Sequence, residues 1–157
     1  MDKQDLVDQL VRQLQATARA ALSARDAAAS EAREGATPDE KREDARAAHQ
    51  LGTLGKAQQK RAQQALAEVD AVAKWKPARM SAVAVGAIVE IEDPDSGEGR
   101  TLFLAPVGAG ITLTGPGGDG LLSVITPASP VGKAVLGRKE GDCVDIADRE
   151  WQISYVG

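Results

Sequence analysis

Asp39, Glu40, Glu43 and Asp44 place four carboxylates within six residues, directly after a proline at 38. Glu40 and Glu43 are three apart, and Asp39 and Glu43 four apart, so on a helix each pair shares a face. Two carboxylates on one face can converge on a hard cation such as Mg2+, which takes oxygen ligands. In a two-metal site such an ion stabilises the attacking and leaving oxygens of an in-line displacement. The same acids also suit the positive end of a helix dipole. Thr37-Pro38-Asp39-Glu40 reads as a cap hydroxyl, a proline at the first helical position and a glutamate three residues after the cap, which is a capping box.

The remaining chemistry-bearing residues are sparse. His49 is the single histidine and lies far along the chain from Ser129 and Cys143, so a nucleophile–histidine pair would need an improbable fold-back. Cys143 is the single cysteine and, alternating with Val144 in an expected strand, reads as a small core residue. One His and one Cys cannot assemble a zinc site from the usual ligands. The glycine-rich run from Gly115 to Gly120 lacks the Lys-Ser/Thr that completes a phosphate loop and reads as a hairpin turn.

Two long helices must position the acidic cluster. Residues 3–34 and 38–74 are dominated by Ala, Gln, Glu, Lys, Arg and Leu, all strong helix formers. Leu6, Leu10, Leu14, Ala18, Ala21 and Leu22 form one apolar stripe; Leu51, Leu54, Ala62, Leu66, Val69 and Val72 form another. Narrow, alanine-rich stripes favour a close antiparallel coiled coil, an arm of roughly 45–50 Å at 1.5 Å per residue. Gly35 suits a helix stop, which confines the tip to about Gly35–Thr37. Gly52 and Gly55 interrupt the second helix, either to let the facing helix approach closely or as a hinge.

After Trp75-Lys76-Pro77 the period shortens. Strands are expected over 83–92, 101–104, 111–113, 121–125, 143–146 and 151–155, with a short helix from Ser129. The chain is therefore expected to be α+β: residues 1–75 an antiparallel coiled coil, residues 76–157 a small, mostly antiparallel β domain, with the linker near 74–79 between them.

Bulk properties set outer limits. Residues 1–75 carry 12 basic and 12 acidic side chains and residues 76–157 carry 7 and 11, so neither half has the basic excess that free nucleic acid demands. A protein partner is the better expectation. No apolar run approaches the roughly 20 residues of a membrane span, and the N-terminus lacks the pattern of a signal peptide. With a lone cysteine, a reducing, cytoplasmic setting is expected.

The run Ser129-Pro130-Val131-Gly132-Lys133-Ala134-Val135-Leu136-Gly137-Arg138-Lys139-Glu140-Gly141-Asp142 resembles the C-terminal signature of the bacterial Gre transcript cleavage factors. It keeps the family order: Ser-Pro, an aliphatic, a small residue, Ala, two aliphatics, Gly, a basic residue, then Gly and an acid. The resemblance implies a coiled coil joined to an FKBP-like β domain, in the order seen here. It implies that the β domain docks on RNA polymerase through Ser129, Pro130, Gly137, Gly141 and Asp142, while the coiled coil enters the secondary channel. Glu40 and Glu43, with Asp39 and Asp44 as alternatives, would help hold a Mg2+ shared with the polymerase active centre, and the factor needs no cofactor of its own. Lys56, Lys60 and Arg61 would lie near nascent RNA, although such a group also fits a solvated helix face. The implied protein is a monomeric accessory factor, not itself an enzyme, that stimulates polymerase to cleave backtracked RNA. Two alternatives remain: a non-cleaving regulator that occupies the channel, and an FKBP-like interaction module whose coiled coil dimerises it.

Overall fold

The computed structural model describes residues 3–34, 41–115, 118 and 120–157, with side chains at 31–34 and 41–52 left aside. Two long helices come first, α1 (Lys3–Glu34) and α2 (Lys41–Ala73). A six-stranded sheet follows: β1 (Ile88–Glu92), β2 (Gly99–Leu104), β3 (Thr112–Thr114), β4 (Leu121–Ile125), β5 (Cys143–Ile146) and β6 (Arg149–Val156), with α3 (Pro130–Val135) between β4 and β5. The spatial order is β3-β4-β2-β1-β6-β5. Four pairings are antiparallel and one, β2 with β4, is parallel. The α+β architecture and the mostly antiparallel sheet are as expected from the sequence.

The chain forms two compact units, one of residues Gln13–Val69 and one that joins Met1–Arg12 to Asp70–Gly157. The first turns of α1 and the last of α2 thus belong with the sheet.

In the helical unit the buried positions among the described residues are Leu14, Ala18, Ala21, Ala28, Ala62 and Ala65. On α2 these continue a 3-4-3-4 spacing through Gly55, Gln58, Ala62, Ala65 and Val69, the seam of a coiled coil. Leu54 and Leu66, expected in that stripe, are instead 49% and 47% exposed. Each sits one position off the seam, where the helix has turned its small residues inward. A side chain at Gly55 would meet nothing within 4 Å, so close approach of a neighbour does not account for that glycine. Gly52 and Leu51, and the expected cap at Thr37, lie outside the described side chains.

In the sheet unit both faces are covered. One holds Val89, Ile91, Leu102, Leu104, Val144, Trp151 and Ile153, closed by Val135 of α3. On the other, Phe103 lies beside Val124 in register, and the Trp75 ring stacks on Phe103 with centroids 5.6 Å apart. Leu6, Val7 and Leu10 of α1 are wholly buried. A Cβ on Gly108 (φ +92°) would lie 2.7 Å from Leu10 Cδ1 and 3.7 Å from Val124 Cγ1, so this part of α1 packs on that face and needs glycine there.

The first strand is shorter than expected. Gly86 (φ +108°) turns the chain, its N–H bonding Leu104 O at 2.7 Å, so strand pairing begins at Ile88. Val83 pairs instead with the segment after α3, donating to Arg138 O and accepting from Gly137 N–H. Cys143 is exposed on edge strand β5, not part of the core: the inward position there belongs to Val144. The turn between β5 and β6 is made by Ala147 (φ 52°) and Asp148 (φ 62°), two left-handed residues without a glycine.

Candidate functional site

The Ser129–Asp142 run is a stack of caps and turns. Ser129 is the N-cap of α3: its Oγ accepts the Gly132 N–H at 3.1 Å and donates to Thr126 O at 2.7 Å. Pro130 follows at the first helical turn, where the absent N–H costs nothing. Gly132 is compulsory, because a Cβ there would fall 1.9 Å from Thr126 O. Val135 is buried in the core. Gly137 (φ +78°) and Gly141 (φ +90°) take left-handed conformations that end the helix and turn into β5. Asp142 Oδ2 accepts the Lys139 N–H at 2.9 Å, and its carbonyl accepts from Ile153 N–H at 2.8 Å.

The five residues assigned to docking serve mostly as builders of the run: Ser129 caps α3 beside Thr126, whereas Gly141 and Asp142 hydrogen-bond to Ile153 of β6. The side chains that the run turns outward are Pro130, Lys133, Leu136, Arg138, Lys139 and Glu140. Leu136 is 44% exposed, an apolar side chain amid charges.

A second constellation closes the far end of the same core face. Arg100 and Arg149 stand over the Trp151 ring, their guanidinium carbons 4.9 and 5.2 Å from its centroid. Arg149 pairs with Asp93 and reaches Glu98 at 3.6 Å, and Arg100 binds Glu98 at 2.9 Å. Asp93 also caps its own turn, accepting the Asp95 N–H at 2.9 Å. That backbone bond, more than the Ser96 and Arg149 contacts, pulls the Asp93 carboxyl down to about 2. Arg100 likewise lowers Glu98. The Asp93-Pro94-Asp95-Ser96-Gly97 turn was visible in sequence; the Arg149 partner, 56 residues on, carried no local signal.

The acidic cluster divides at the limit of what is described. Asp39 and Glu40 fall outside the described residues, and Glu43 and Asp44 lie on the first turns of α2 with their side chains left aside. Lys56 and Lys60 are exposed one turn apart on α2, as expected of a solvated basic face. Arg61 sits beside them, in a shallow groove that it lines with Thr17, Ala21 and Ala65. Among the described residues no cluster of acidic, His and Cys side chains could hold a metal ion, and no helix is long and apolar enough to cross a membrane.

The match to known proteins falls on the sheet unit. A family model described as "Transcription elongation factor, GreA/GreB, C-term" covers residues 77–155, half of the chain. The chain belongs to the GreA/GreB family. Curated relatives named transcription elongation factor GreA include those of Desulfovibrio desulfuricans, 39% identical over 74 residues, and Nitratidesulfovibrio vulgaris, 40% identical over 74 residues. Each match spans 46% of this chain and about two-fifths of the relative, 40% and 41%. Among solved structures, GreA factor homolog 1 (Gfh1) of Thermus thermophilus is 20% identical, over 96% of this chain and 94% of that one, at a TM-score of 0.38. The GreA/GreB assignment rests on the family model, within which the whole Ser129–Asp142 run lies.

Proposed function

We propose that this protein is a transcription elongation factor that binds RNA polymerase through its sheet unit and stimulates Mg2+-dependent cleavage of backtracked RNA by carrying the 39–44 carboxylates into the secondary channel. The observation that carries the reading is the family match over 77–155, which contains the whole Ser129–Asp142 run of caps and turns. Glu40 and Glu43 are the proposed ligands of the ion shared with the polymerase, and Lys56, Lys60 and Arg61 the proposed neighbours of the RNA. Carboxylates suit this role because Mg2+ binds hard oxygen donors, and a second ion stabilises the charge that develops on the attacking and leaving oxygens.

The test is RNA shortening in stalled, backtracked complexes by the wild type and by the Glu40→Ala/Glu43→Ala variant. Wild-type cleavage lost in the variant, with polymerase binding kept, is the expected result. A second reading has a specific motive, because the family match stops short of the acidic cluster. Under it the protein occupies the channel and regulates polymerase without cleavage. Binding by the wild type with no RNA shortening, and inhibition unchanged in the variant, would select that reading. Failure to bind polymerase at all would sink both.

A further inference from the structure

The sheet has two edges, β3 and β5, and the edge of a sheet is a template for strand addition by another chain. On β5 the exposed Asp145 puts a charge at the edge, which discourages such pairing. β3 is Thr112-Leu113-Thr114, with neither charge nor proline. It is also self-complementary. Paired antiparallel with itself about Leu113, it would set Thr112 against Thr114 of a second copy, and threonines directly opposite one another attract. Leu121, the β4 residue in register with Thr114, is 70% exposed and would add apolar area to that contact.

A side chain stands where the added strand would lie. Gln9, in the first turns of α1, belongs to the same compact unit as the sheet. Its Oε1 accepts the Thr114 N–H at 2.9 Å, and its Nε2 donates to Thr114 O at 3.0 Å. The carboxamide thus copies the donor–acceptor pair that another strand would bring. Only one orientation of the amide makes both bonds, and Asp5 Oδ2, accepting from the same Nε2 at 2.9 Å, favours it. The neighbouring Leu10 fits against Gly108, so the turn of helix that carries Gln9 is itself packed on the sheet. We propose that Gln9 is an edge guard: by occupying both outward backbone groups of Thr114, it withholds β3 from strand addition by a second copy of this chain. This role is independent of whether polymerase is the partner.

The test compares the full-length wild type, Gln9→Ala and Gln9→Ala/Thr114→Pro by sedimentation equilibrium and amide exchange over a range of protein concentrations. In the wild type the Thr114 amide should be protected even at high dilution, because its bond to Gln9 is internal. Gln9→Ala removes both bonds and keeps a strong helix former. At high dilution its Thr114 amide should exchange at least ~10-fold faster while Leu122 in β4 stays protected, since a lost bond opens only the edge. The dimer dissociation constant should fall at least ~10-fold, the scale of two hydrogen bonds, and protection of Thr114 should return as the dimer forms. Thr114→Pro deletes the outward N–H at an edge position, where proline is tolerated, and should restore the monomer. An unprotected Thr114 in the dilute wild type, a Gln9→Ala protein that associates no more than the wild type, a dimer in which Thr114 stays unprotected, or one that survives Thr114→Pro would each overturn the proposal.

Discussion

The sheet unit and the helical unit bury different kinds of side chain. In the sheet, Phe103, Leu104, Trp151 and Ile153 are almost wholly enclosed; in the helical unit the enclosed positions among the described residues are Leu14 and a series of alanines, Ala18, Ala21, Ala28, Ala62 and Ala65, while Leu54 and Leu66 face outward. Each buried methylene contributes about 0.8 kcal/mol, so an alanine seam yields little compared with a packed aliphatic core. Cohesion therefore resides in the sheet, and the hairpin depends on helix propensity and a thin interface.

The sharpest way to break that contrast is truncation. Ile153→Ala, at a fully buried site, should cost about 2–5 kcal/mol. Leu66→Ala, at a site 47% exposed, should cost no more than about 0.5 kcal/mol. Urea unfolding followed by tryptophan fluorescence and by helical circular dichroism measures both, and a loss above about 1 kcal/mol for Leu66→Ala would contradict the contrast.

One substitution should have opposite signs in the two regions. Gly132→Ala drives a Cβ to 1.9 Å from the Thr126 carbonyl oxygen, a backbone atom, and should destabilise by about 1–3 kcal/mol. Gly55→Ala enters open space in a helix interior and should stabilise by about 0.5–1 kcal/mol. Thermal unfolding of the two variants decides it.

Smaller still is the β5–β6 turn, where Ala147 and Asp148 both hold positive φ. Replacing them with Asn-Gly, the pair that favours this turn, should raise stability by about 0.5–1 kcal/mol in the same unfolding assays.

The smallest expected effect is that of Asp93. Its folded carboxyl lies at about 2, below its ordinary value of 3.8. A depressed carboxylate contributes stability that is complete above the unfolded value and is lost as pH falls through the folded one. Relative to Asp93→Asn, the wild type should lose stability between about pH 4 and pH 2. A parallel pH profile for the two proteins would show that the Asp93 turn and its Arg149 contact carry no linked stability.

Much of this was legible in the sequence because it is local. The helices, the glycine stop at Gly137 and the Ser129-Pro130 start are written in neighbouring residues, and they stand where expected. What escaped depends on distant partners. Leu66 and Leu54 carry the right hydrophobicity for a stripe, but the face that turns inward is set by what the other helix can accept. Cys143 follows the alternation of its strand, yet which alternate faces the core is decided by the Val144↔Trp151 pairing. The 83–89 run is apolar throughout, and only the positive φ of Gly86 shows that the part before Ile88 is not strand. Gln9 looks like any polar residue on a helix until Thr114 is placed beside it.

The side chain of Gln9 hydrogen-bonds to both backbone groups of Thr114, and this contact bears on how the chain is made. Gln9 and Thr114 are 105 residues apart, and at about 5–20 residues per second the first waits roughly 5–20 s for the second to be synthesised. β6, which lies between β1 and β5, arrives later still. The nascent helices must therefore survive as a thinly held hairpin, with Leu6, Val7 and Leu10 uncovered, until the last strand leaves the ribosome. Those three side chains are therefore exposed to a chaperone during that interval.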